Sequence, residues 1–227
     1  MLFKNKVEIW SNRIPINFLK QFFCTYPNNL PDYFRNIPKT YPFRIGKNFN
    51  IRTCSGFINF FRRSIVFKSP FDISLEITKD NRIWCEFGSG SYSNEQNLQI
   101  HSQEQFLKWV NKDIYKIISK FILGIFIKSK DPIIITNPWW SMNDFEIIPG
   151  ILNAKNPLEL NLFLPIKKNT FRITIKQGTP LCMLHFESNK DFKIVFKDKK
   201  INTRDYNGME YLKINFKNMI LGSKFLK

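Results

Sequence analysis

Residues 71–87 read FDISLEITKDNRIWCEF. Phe71, Ile73, Leu75 and Ile77 alternate with Asp72, Ser74 and Glu76, the two-residue period of a half-buried strand. Lys79, Asp80 and Asn81 supply turn chemistry, and Ile83, Cys85 and Phe87 alternate on the way back. The stretch therefore predicts a β-hairpin. Downstream the same grammar repeats. Apolar runs at 132–137, 145–152, 158–164, 171–176, 181–187, 192–197 and 210–216 are separated by turn signals such as Asn137-Pro138, Pro149-Gly150, Lys168-Asn169, Gln177-Gly178 and Asn207-Gly208. Short strands at near-regular spacing predict a mainly β protein, a jelly-roll-like β-sandwich of the double-stranded β-helix type, and not a parallel α/β sheet. Residues 115–127 read as strand, because Ile and Phe dominate and Gly124 would weaken a helix. Gly88–Asn94 reads as a loop and 103–110 as a short helix.

Upstream the pattern differs. Residues 4–10 read as a strand, and 14–23 as an amphipathic turn or helix opened by Pro15. The stretch from Tyr26 to Phe43 holds four prolines and three tyrosines, a density that predicts an extended strap without regular elements. TCSGFINFFRRS then places Phe57, Phe60 and Phe61 at helical spacing, with Thr53 or Ser55 as N-cap. The expected organisation is a strap with short helices packed on the core (1–63), a β-sandwich (64–216) and a C-terminal tail (217–227).

Composition narrows function less than fold. The 227 residues carry 35 Lys+Arg against 18 Asp+Glu, a formal net charge of +17. One reading is a polyanion partner, nucleic acid above all. The other is codon drift: the chain has one alanine, Ala154, yet 24 Phe, and Lys outnumbers Arg by 26 to 9. The longest apolar run, 121–127, is too short to cross a bilayer as a helix, so no membrane partner is expected. MLFKNKVEIW lacks the features of a signal peptide, which predicts a chain not secreted by that route. Cys24, Cys54, Cys85 and Cys182 lie too far apart for a C-x-x-C motif and sit among apolar neighbours. They read as buried free thiols of a reducing compartment.

Chemistry candidates are few. The two histidines are His101 and His185, with Glu104 three residues after the first. A two-histidine, one-carboxylate set on separate strands of a β-helix barrel would hold Fe(II), with 2-oxoglutarate as co-substrate. The usual H-x-D/E is replaced here by His101-Ser102-Gln103, and a histidine beside a core strand is more often a hydrogen-bonded structural residue. Trp139 and Trp140 follow Pro138, where two indoles offer a stacking platform for a sugar, a base or a protein groove. In an extended backbone one would face inward and the other outward. Arg62 and Arg63, with Lys68, form a small basic cluster at a helix end, where cations are also favoured by the helix dipole.

Three stretches together resemble an uncharacterised family of marine bacteriophages: PDYFRNIPK; RTCSGFINFFRRSIVFKSPFDISLEI; and NPWW followed by IIPGILN, LELNLFLPI and FRITIKQGTPLCMLHF. The resemblance spans most of residues 30–190. It implies a phage origin and a β-sandwich, with no assigned activity to carry over. Residues 148–186 also look like the closing strands of dUTPase-type jelly rolls. Asn153 stands where that class needs an aspartate, and its phosphate-handling motifs are absent, so the likeness implies shared strand grammar only. The expectation is a non-enzymatic structural or assembly protein, in a virion or the host cytoplasm, binding other virion proteins or itself as a homo-oligomer. The alternatives are the iron oxygenase and a basic nucleic-acid-binding accessory protein.

Overall fold

A computed structural model describes residues 5–37, 54–80, 82–87, 98–101, 114–141, 143–188 and 192–198. In chain order these form β1 (Asn5–Ser11), α1 (Ile16–Leu19) with a 3-10 turn, β2 (Phe23–Cys24), α2 (Asp32–Asn36), α3 (Ser55–Arg62), β3 (Ser64–Lys68), β4 (Ile73–Ile77), β5 (Ile83–Phe87) and β6 (Leu98–His101). There follow β7 (Tyr115–Ser129), β8 (Ile133–Thr136), β9 (Gly150–Leu152), β10 (Leu158–Lys167), β11 (Arg172–Ile175), β12 (Pro180–Phe186) and β13 (Phe192–Phe196). The protein is mainly β, with several sheets. No helix among the described residues is long and apolar enough to cross a membrane.

The axis of the first sheet is β7, whose apolar side chains are buried on both faces. Ile117, Phe121, Leu123, Ile125 and Ile127 point into the main core, while Ile118 and Phe126 are buried on the reverse. β10 pairs antiparallel along most of one edge of β7. The other edge is shared: β6 takes Ile118–Phe121 and β1 takes Ile125–Ser129. The handover falls at Gly124, which has φ +63, a left-handed conformation open to glycine and costly for other residues. Its carbonyl accepts from the Asn12 N–H and the Ser11 hydroxyl, and its N–H donates to Glu159 Oε1. A register shift lies opposite, between Glu159 and Asn161 of β10. The glycine foreseen as a helix breaker is thus the bend of a long strand.

The second sheet runs β2-β3-β12-β8-β9, and the third is the β11-β4-β5 ribbon containing the foreseen hairpin. Buried residues of all three, among them Ile9, Leu162, Phe67, Leu184, Leu75 and Ile175, form one continuous core, as in a sandwich.

Several expectations need correction. The proline-rich strap carries a regular element, α2, because Pro31 precedes its first residue and so removes no hydrogen bond within it. The N-cap of α3 is Cys54 and makes no side-chain cap bond. Residues 145–149 are irregular, since the Asn137 side chain takes both backbone groups of Ile147. β3 and β6 were not foreseen. β1 is an inner strand of the first sheet, between β7 and β13, and so is no part of a strap. Its pairing with β13 is parallel. The expected loop at 88–94, the helix at 103–110, the strand at 210–216 and the tail at 217–227 lie outside the described residues.

Candidate binding surfaces

α3 builds the first surface. Phe57, Phe60 and Phe61 share one side of the helix, and Phe61 is fully buried. Phe34 of α2 stacks on Phe57 at 4.8 Å. Together with Val66 and Met183, these rings make a second apolar layer on the outside of the second sheet, separate from the main core. Asn29, only 2% exposed, pins the layer: its Nδ2 donates to the Phe61 carbonyl at 2.7 Å and the Ser64 carbonyl at 2.8 Å.

The tryptophans extend this layer to solvent. Trp140 packs on Phe61 at 5.1 Å and is half-buried. Trp139 stands perpendicular to Trp140 at 5.4 Å, edge-on to Phe57 at 6.3 Å, and is 57% exposed. One indole turns in and one out. The loop holding them is anchored by a Ser141 N–H to Pro138 carbonyl bond at its tip and by the Asn137 clamp on Ile147. The same excursion leads to β9, the edge strand of the second sheet, where Ile151 is 71% exposed.

The histidines are held differently. His185 lies on β12, with Nδ1 2.9 Å from the Ser64 hydroxyl and its ring stacked on Phe60 at 4.7 Å. Burial, reinforced by Arg63 and opposed by Glu187, lowers its pKa, so the neutral ring is favoured. His101 lies on β6 in the first sheet, edge-on to Phe163 at 5.5 Å. The two rings therefore stand on different sheets among different neighbours. Glu104 lies outside the described residues. Among those described, no three His, Cys, Asp or Glu side chains gather as an iron site requires.

Arg62 and Arg63 end α3 and diverge. Arg63 reaches the His185 environment, and its carbonyl accepts from the Phe186 N–H. Arg62 lies over the Tyr26 ring, 5.5 Å from its centroid, within cation–π range. Lys68 sits at the far end of β3 and does not join them. Arg62 and Tyr26 line a groove of about 670 Å³ with Phe23, Thr25, Phe192, Lys193, Ile194 and Phe196. It opens where β2, an edge of the second sheet, meets β13, an edge of the first. Phe23 meets Phe196 edge-on at 6.0 Å and stacks on Phe67 at 4.7 Å. This groove was missed from sequence because its aromatics come from segments read as strap and as plain strand.

Of the cysteines, Cys85 and Cys182 are buried as expected, Cys24 is half-buried, and Cys54 is exposed at the start of α3. Burial pushes the Cys85 thiol up to about 12 and raises that of Cys182 as well. No family model matches the chain, and no curated protein or solved structure matches it either.

Proposed function

We propose that this chain is a non-catalytic β protein that works by binding protein surfaces, as a structural or assembly component of a phage particle that contacts further copies of itself or neighbouring virion proteins. The observation that supports it is the apolar rim of the second sheet. Edge strand β9 presents Ile151 at 71% exposure, on the excursion that also carries the 57% exposed Trp139. β9 spans three residues after Pro149, too short to template a long strand pairing, so the exposed Ile151 and Trp139 side chains would carry the contact. Trp139 is already held by Trp140 and Phe57, so docking on it costs little side-chain entropy. We propose further that the sheets form a jelly roll. The long antiparallel strands favour it, and the parallel β1–β13 pair departs from it.

The test is the mass of the protein in solution across a concentration series, by sedimentation, together with its presence in purified particles. Ile151→Lys places a charge on the edge and is expected to shift wild-type assemblies toward monomer, with Trp139→Ala acting in the same direction. A wild-type protein that stays monomeric at high concentration and is absent from particles overturns the proposal.

A further inference from the structure

We infer that the groove between β2 and β13 is a binding site for single-stranded nucleic acid. Such a strand presents flat, apolar bases at short intervals along a chain of negative charge, and the site that suits it alternates aromatic faces with cations. The groove has both. The half-buried Tyr26, Phe192 and Phe196 supply rings over a floor that includes the buried Phe23, and Arg62 and Lys193 supply charge. Its volume of about 670 Å³ is that of a small-molecule site, room for a short stretch of strand and not for a duplex.

One feature separates it from a solvated basic surface: its arginine is held against an aromatic ring, Arg62 being already placed by Tyr26. A planar guanidinium held on a ring makes phosphate hydrogen bonds with less loss of freedom than a loose lysine, and it extends the aromatic surface on which a base stacks. The net charge of +17 draws a polyanion to the molecule, whatever its evolutionary origin, and the groove is where bases would be read. This inference rests on residues other than those of the β9 rim, so either can fail without the other.

The test uses the full chain and a fluorescein-labelled oligothymidylate of about 12 nucleotides, within the usual 4–16 nucleotide range of such sites. Affinity is followed by anisotropy over a salt series. Arg62→Gln is expected to reduce the magnitude of the log–log salt slope by about 0.7, the share of one phosphate contact on a single strand. Lys155→Gln removes the same charge from an exposed turn elsewhere and is expected to change little. Tyr26→Ala is expected to weaken binding about tenfold with the slope unchanged, and Tyr26→Phe to bind as wild type. If Tyr26→Ala fails to fold, the Arg62→Gln and Lys155→Gln comparison decides alone. Equal effects of those two charge variants overturn the inference. So does competition by inorganic polyphosphate as effective as competition by unlabelled oligothymidylate, or absence of oligothymidylate binding at low salt.

Discussion

One substitution, glycine to alanine, is expected to have three different effects on stability at three positions. At Gly56, early in α3, the nearest atom to an added Cβ is Cys54 Sγ at 4.0 Å. Nothing obstructs the methyl, and the helical backbone favours alanine, so Gly56→Ala should stabilise by about 0.5 kcal/mol. At Gly178, φ is +83 and the Cβ meets nothing within 4 Å. There the cost is the left-handed backbone, about 1–2 kcal/mol, less the fraction of a kcal/mol gained by stiffening the unfolded chain. Gly124 has φ +63 and an added obstruction: the Cβ would collide with Asn12 Oδ1 and lie 2.7 Å from Arg13 Cδ. Those side chains are exposed and yield in part, but Arg13 is engaged on the Ile122 carbonyl and the Asn12 N–H on that of Gly124. Displacing them adds about 1–2 kcal/mol to the cost estimated for Gly178, for a total of roughly 1.5–3.5 kcal/mol. For a chain of this size that lowers Tm by roughly 3–14 °C. Urea titration with parallel thermal melts of the three variants measures the series. A Gly124→Ala cost no greater than that of Gly178→Ala would show that the close approach of Asn12 and Arg13 to the bend of β7 contributes nothing.

Two further measurements probe charge and burial. Glu8 accepts from Lys197 at 2.5 Å and pairs with Lys6 at 2.8 Å, and these bonds hold its carboxyl at about 2 against an ordinary 4.5. Because the folded form binds the proton less readily, the stabilisation is complete above about pH 5 and drains away as pH falls toward 2. The lysines are 38% and 54% exposed, which reduces the effect to about 1–2 kcal/mol, so Glu8→Gln should flatten the acid limb of the stability–pH curve by that amount, less so in high salt. In thiol titration of the native protein, Cys54 should react at once, while Cys85 and Cys182 should react only on unfolding; prompt reaction of either would contradict their burial.

The legible parts of this fold are those whose determinants lie close together in sequence. The β4–β5 ribbon declares itself in alternation plus a turn, and β7 in its Ile and Phe content. β3 escaped because Ser64–Lys68 follows α3 without turn residues, and a short apolar run has no period of its own. Residues 145–149 alternate like a strand, yet Asn137 captures the backbone that a ladder would need. The binding surfaces follow the same rule. Trp139 and Arg62 stand out by residue type alone, but the extended backbone expected at Trp139-Trp140 is a turn closed by the Ser141 N–H on the Pro138 carbonyl, and it is this turn that sends one indole in and one out. The groove draws on β2, the residues after it, the end of α3, and β13, and no local pattern announces that meeting.

The parallel pair of β1 and β13 has a consequence for synthesis. Glu8 and Lys197, joined across that pair, are 189 residues apart in sequence. At roughly 5–20 residues per second, β1 leaves the ribosome about ten to forty seconds before β13 does. Until β7 is made β1 has no partner in this sheet, and from then until β13 emerges only its β7 edge is paired. Closing so long a loop carries a large entropic cost before any contact repays it. The first strand made is therefore among the last completed, and a nascent chain stalled before Phe192 would carry an open edge where the finished protein has none between β1 and β13.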